Sequence, residues 1–222
     1  MKTLSLTTAA LAATLTLTAC GGGGGGGAAS TTYNIDAAYK LWIQQGQSVG
    51  LRGADACLGT LVHVQPPTAT SSTFEGAPAL ATTVTRTTFV QAGCPLPSGI
   101  GTHTAYYATD YLPLGRSANG EYGVFASPPQ FPTAAKVGEQ GAVGTAQIYT
   151  DATRQQALGR EDLSYVIEPS PAGATGAIVN LIARRYSTSS ALQSTIQQRY
   201  DIAPGGALTL ISEDIDGDLF TH

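Results

Sequence analysis

The stretch Leu192-Gln193-Ser194-Thr195-Ile196-Gln197-Gln198-Arg199-Tyr200-Asp201-Ile202 decides the fold class. Leu192, Ser194, Ile196, Gln198, Tyr200 and Ile202 fall on one side of an extended chain, against Gln193, Thr195, Gln197, Arg199 and Asp201 on the other. That period of two is the mark of a strand with one buried and one wet face. A helix also fits Leu192, Ile196 and Tyr200. The turn-forming cluster before it, Ser187 to Ser190, and Pro204-Gly205-Gly206 after it favour the strand. Just upstream, Ala177 to Tyr186 sets Ile178, Ile182 and Tyr186 one way and Val179, Leu181 and Ala183 the other. A run apolar on both faces belongs in the middle of a sheet.

The same pattern extends outward in both directions. Ala207 to Ile215 follows as a further strand, and Ala142 to Thr150 turns at Asp151-Ala152 to return through Leu163, Tyr165 and Ile167. In the first half, Ala56 to Gln65 places Leu58, Val62 and Val64 on one face and stops at Pro66-Pro67. Leu80 to Gln91 aligns Leu80, Val84 and Val90, with Arg86 on that same face. Thr102 to Leu112 puts Tyr107 and Tyr111 on one side and Tyr106 on the other. Ala118-Asn119-Gly120 is a hairpin turn leading to Glu121 to Ala126, since Asn and Gly tolerate positive φ. Prolines 128, 129 and 132 mark a crossover between two halves rather than a domain boundary, because each half alone would have a meagre core.

At the N-terminal end of this region Asn34 is placed to cap a short helix carrying Ile35, Ala38, Tyr39 and Trp42 on one face, and Gly46 to end it. Trp42 reads as an apolar plug against a sheet. The expectation is a mainly β fold: one antiparallel meander sheet, as a half-barrel, barrel or sandwich, with one short N-terminal helix, over a single domain at 33–222.

Ahead of that domain, Lys2 is followed by a threonine-diluted apolar run to Leu17 and then small residues, the layout of a secretory signal. The run falls short of the roughly 20 apolar residues a spanning helix needs. Leu17-Thr18-Ala19-Cys20 resembles the lipobox of bacterial, Gram-negative lipoproteins. The resemblance implies removal of residues 1–19, palmitate-type acylation of Cys20 and a lipid anchor in the cell envelope. Gly21 after the cysteine, in place of aspartate, implies the outer membrane, with the domain facing the periplasm or the cell surface. An ordinary secreted protein with an incidental cysteine is the competing reading. Residues 20–32, with glycines 21 to 27, form the tether.

Charged residues make up 12% and hydrophobic ones 42%, a balance able to bury a core. Net charge is −4, and losing Lys2 with the signal makes it −5, so the basic footprint of a nucleic-acid binder is missing. With Cys20 acylated, Cys57 and Cys94 remain as a pair in an oxidising compartment, where a disulfide is expected; two buried thiols are the alternative.

Candidate chemistry is sparse. Asp214, Asp216 and Asp218 resemble the start of a calcium loop, but Leu219 stands where its sixth-position glycine belongs, and a solvated acidic turn is the preferred reading. His63, His103 and His222 share no motif with a nucleophile, and no Gly-x-Ser-x-Gly elbow occurs. Glu161 and Asp162, adjacent on a strand, face opposite sides. Tyr106, Tyr107, Tyr111 and Tyr122 read as core or cross-strand partners before cavity lining. These residues point to no cofactor, no metal and no enzyme, and to a binding or envelope-structural module. The alternatives are a periplasmic carrier of an apolar ligand, whose cavity would be lined by side chains such as Tyr106, Ile178 and Ile196, and a hydrolase.

Overall fold

Helix formation at the start of the domain follows from local chemistry. In the structure, a computed structural model describing residues 31–222 apart from 56–57, 69, 92–95, 172–175 and 204, helix α1 spans Ile35–Gln45. The Asn34 side chain accepts from the Ala37 amide at 2.9 Å, and the Pro132 carbonyl accepts from Ile35 and Asp36, so three of the four unpaired amides of the first turn are satisfied. Ile35, Ala38, Tyr39, Trp42 and Ile43 form the buried stripe expected of an amphipathic helix. Gly46 ends it at φ 69, and its amide donates to the Trp42 carbonyl. A Cβ there would overlap the backbone of Gln65 and Pro67, so only glycine fits this turn.

Thirteen strands follow: β1 Gln47–Gly53, β2 Leu58–Gln65, β3 Thr70–Phe74, β4 Ala77–Val90, β5 Gly99–Tyr107, β6 Pro113–Ala118, β7 Glu121–Phe125, β8 Gln140–Tyr149, β9 Ala157–Pro169, β10 Ala177–Ser187, β11 Leu192–Ile202, β12 Leu208–Ile215 and β13 Asp218–Thr221. From β4 to β13 each strand pairs with its successor, all antiparallel. Arg52 on β1 opposite Thr221 on β13, together with the β1–β2 and β2–β4 pairings, closes the ring. Among the thirteen strands of the described residues only β3 lies outside it, so the barrel has twelve strands. Closure pairs the strands of the ring on both sides, and β3 pairs with β4 alone.

The expected antiparallel meander with one short helix is therefore present, as a closed barrel. Four strands, β1, β3, β6 and β13, go beyond those expected from the pattern. One face was also mis-phased. On β2 the inward side chains are Leu61, His63 and Gln65, while Val62 and Val64 point outward, because an irregularity between Leu58 and Thr60 puts Leu58 and Leu61 on the same side. Strand β5 ends at Tyr107, and Tyr111 sits in the following turn at φ 68.

A barrel of about eight strands is filled by its own side chains, and a wider one needs other contents. Here one end is stopped by α1 and by the proline-rich segment between β7 and β8. Phe131 stacks on Tyr39 at 4.3 Å, and Tyr33 bridges to Ala135. Trp42 meets Tyr200 edge-on at 5.3 Å. Each large apolar side chain buried in this plug contributes roughly 1.5–3 kcal/mol. Outside the barrel, Phe74 at the tip of the β3–β4 hairpin stacks on Tyr106 and packs beside Tyr122.

On the outward face of β9, β10 and β11, Asp162, Arg184 and Thr195 lie opposite one another, and buried Asn180, between Ile178 and Ile182 on the same face, donates to Glu168 and Gln197 beside Arg199. Among the described residues no helix is long and apolar enough to cross a membrane.

The lipobox, Cys20 and most of the tether, Cys57 and Cys94 all lie outside the described residues.

Candidate functional site: the barrel lumen

Above the plug the barrel holds a chamber of about 690 Å³, open at the end away from α1. Its floor is aromatic: Tyr39, Trp42, Tyr107 and Tyr200. Burial drives the phenol pKa values of Tyr39, Tyr107 and Tyr200 up, so these groups stay neutral. Their polar atoms are engaged sideways. Trp42 Nε1 donates to Gln47 at 2.8 Å, and the Tyr200 hydroxyl donates to Gln198 at 3.1 Å.

The walls are charged, in two groups that cross the lumen. On one side Arg116 of β6 reaches Glu161 of β9 in a bidentate pair, Nη2 to Oε2 being 2.8 Å, and Arg185 of β10 reaches Glu121 of β7. Arg116 also lies 3.9 Å from Glu121. The residues opposite the pair's two ends, Gly123 facing Arg116 and Ala146 facing Glu161, are small enough to let the side chains pass over them. Burial acts against charge on both partners of the Arg116 pair, but their mutual attraction prevails: the Glu161 carboxyl is held below its ordinary pKa and the Arg116 guanidinium above.

On the other side Glu213 of β12 is fully buried at 0% exposure. Burial raises its pKa, and His63, Arg86 and the Gln198 amide at 3.1 Å more than offset this, leaving it below the ordinary carboxylate value. Arg86 Nη1 stands 3.2 Å from Oε1. His63 Nδ1 stands 3.6 Å from Oε2, too far for a hydrogen bond. His63 is only 5% exposed, and among the described residues neither ring nitrogen has a hydrogen-bond partner.

Between the groups sits His103 on β5. Burial first, then the charges of Arg116 and Arg86 and the nearby His63, push its pKa down to about 4 against a smaller opposing pull from Glu161, so the imidazole is neutral at pH 7.

Searches with this chain against protein-family models, curated proteins and solved structures find no match. The lumen is therefore the ground for any functional reading.

Of the residues named as lining for an apolar cavity, Ile196 faces the chamber. Tyr106 stacks on Phe74 in the separate outer cluster, and Ile178 lies on the strand face opposite Val179, away from the lumen. Trp42 is the plug expected of it, and Tyr107 is in the core. His63 and His103 converge on one chamber; His222 ends the chain elsewhere, its amide donating to Ile211. Glu161 faces the lumen while Asp162 turns outward to Thr145. The Asp214 carboxylate accepts from the Gly217 amide and that of Asp216 from Thr195, so both are occupied in holding the β12–β13 turn. Among the described residues neither lumen histidine hydrogen-bonds a serine, and no cluster of three His, Cys, Asp or Glu has metal-site geometry.

Sequence reasoning missed Arg116, Glu121, Arg185 and Glu213 as site residues. One signal existed. Arg86 on an otherwise apolar strand face marks a charge turned inward.

Proposed function

We propose that the protein is an outer-membrane lipoprotein, anchored through acylated Cys20, whose barrel binds a small polar ligand in its lumen without chemical conversion. The observation that carries the binding reading is the chamber of about 690 Å³ with one blocked end, whose wall includes His63, its Nδ1 no closer than 3.6 Å to Glu213 and its Nε2 without a hydrogen-bond partner among the described residues. Buried polar atoms are ordinarily satisfied, and one that the protein leaves unpaired costs about 1–3 kcal/mol. A stable fold tolerates that cost where a ligand or water completes the site. The ionic lining argues against an apolar ligand, because ions facing a hydrocarbon would lose their hydration without compensation. The anchor reading rests on Leu17-Thr18-Ala19-Cys20 and the glycine tether.

Two measurements test this. The acylated protein, purified in mild detergent and examined by native mass spectrometry, should release a small polar molecule on denaturation, or show a raised melting temperature with polar and not fatty-acid additives. Stabilisation by fatty acids alone defeats the ligand reading. An unmodified Cys20 in the mature chain defeats the anchor.

A further inference from the structure

Three adjacent strands, β4, β5 and β6, present Arg86, His103 and Arg116 to the lumen in a diagonal arch. Arg86 lies opposite Gly101, His103 opposite Ala118, and Arg116 opposite Ala105. Each large polar side chain thus faces a residue with almost no side chain, and the space in front of the arch is part of the open chamber. Arg86 meets Glu213 through one terminal nitrogen and lines the chamber, and its remaining donors make no hydrogen bond among the described residues. His103 hydrogen-bonds no protein group among the described residues. It offers the arch a further donor.

We propose that this arch receives an oxyanion group, carboxylate, sulfate or phosphate, of the small ligand, and that His103 takes up a proton when the anion binds. The proposal rests on the reading of the lumen as a binding site and deepens it. Burial is the first cause that holds the His103 imidazole neutral; Arg116 and Arg86, with His63, add to it, and Glu161 opposes them. The titratable groups around the imidazole are Arg86 from β4, Arg116 from β6, His63 from β2 and Glu161 from β9, with Glu121 of β7 on the register row of Ala118 opposite His103. An anion set among these groups cancels the arginine field that disfavours the imidazolium and adds an attraction of its own. The proton comes from solvent and no covalent bond changes. The acidic exterior opposes entry weakly, since exposed charges more than about 8–10 Å away are screened at physiological salt.

Sulfate is a suitable probe because its charge is constant between about pH 5.5 and 7.5. The full-length acylated protein in detergent is titrated with sulfate, with acetate and with neutral trehalose, by calorimetry in buffers of different ionisation enthalpy, while the His103 ring resonance is followed by NMR. The expected result is binding of both anions with proton uptake. If sulfate restores His103 to near 6.5, its apparent affinity rises about tenfold from pH 7.5 to 5.5. His103→Gln should abolish the uptake, and the charge-balanced pair Arg86→Gln with Glu213→Gln should weaken sulfate about tenfold or more. Sulfate binding without a His103 shift overturns the proposal. Trehalose binding with no anion binding overturns it while leaving the lumen as a binding site, and silence from all three probes overturns both. The NMR titration of the unaltered protein decides the matter even if a variant fails to fold.

Discussion

Arg116 on β6 and Glu161 on β9 are joined across the lumen by a bidentate ion pair that skips two strands, and both members are largely withdrawn from solvent. Such a pair ties one arc of the barrel to another without a backbone contact. Removing one partner leaves an uncompensated buried charge, which costs about 3–5 kcal/mol, whereas replacing both by apolar groups of similar size is often close to neutral. Glu161→Gln alone should therefore lower stability by about 3 kcal/mol or more in urea unfolding. Arg116→Met with Glu161→Leu should recover most of it. Equal losses in the single and double variants would show that the pair does not act as a unit.

His103 and the lumen glutamates set a second expectation, for acid. The folded His103 pKa of about 4 lies below the ordinary value of 6.5, so on acidification the unfolded chain binds a proton first and stability falls from about pH 6.5 down to about 4. Glu161 and Glu213, held below their ordinary value, contribute stability that is present above it and lost as pH falls through their folded values. His103→Gln should remove the upper window, on the order of 2 kcal/mol because lumen water screens part of the effect, and leave the lower one. Melting temperatures from pH 7 to pH 3 for the two proteins check this. Superimposable profiles would refute it.

The contrast between what was and was not legible follows from where each signal resides. The strands β8 to β12 were readable because alternation at Leu192 to Ile202 and the two-sided apolar run at Ala177 to Ile182 are local patterns. The helix was readable because Asn34 and Gly46 act within one turn of its ends. Short strands such as β1, with glycines at 50 and 53, and β13, only four residues long, carry little alternation and owe their existence to closing the ring. The site was nearly invisible. Glu161 and Arg116 are 45 residues apart, Arg185 and Glu121 are 64 apart, and only closure brings them together. On β2 a single irregularity exchanged the faces, so that His63, which simple alternation sets on the side away from Leu58, Val62 and Val64, entered the wall.

The even pair Cys57 and Cys94 sets a further expectation, from the oxidising compartment that the lipobox implies. Leu58 is the register partner of Val90 in the β2–β4 pairing, and the two cysteines themselves lie outside the described residues. We expect the mature protein to carry the Cys57–Cys94 disulfide, stabilising it by about 3–4 kcal/mol. Peptide mapping without reduction should yield the linked pair. Quantitative thiol labelling of both cysteines in the unreduced protein would rule it out.

Trp42 closes the floor of the chamber. Its ring meets Tyr39 and Tyr200, and its indole nitrogen donates to Gln47, whose carbonyl oxygen lies within 3.4 Å of the Leu210 amide. Truncation to alanine deletes one of the largest apolar groups of the plug and leaves a void beneath the ionic walls, at a cost of about 3–5 kcal/mol. Because α1 joins β1 through the Gly46 turn and the Trp42–Gln47 hydrogen bond and contributes no strand to the ring, the loss should loosen the floor rather than the ring. Trp42→Ala should then show a lower unfolding midpoint with near-native strand circular dichroism, and should bind an apolar fluorophore that the unaltered protein excludes. Trp42→Phe, keeping most of the volume and losing only the bond to Gln47, should cost about 1–2 kcal/mol and keep the fluorophore out. Fluorophore uptake by Trp42→Phe equal to that of Trp42→Ala would place the seal in the hydrogen bond to Gln47 and not in the packing of the ring.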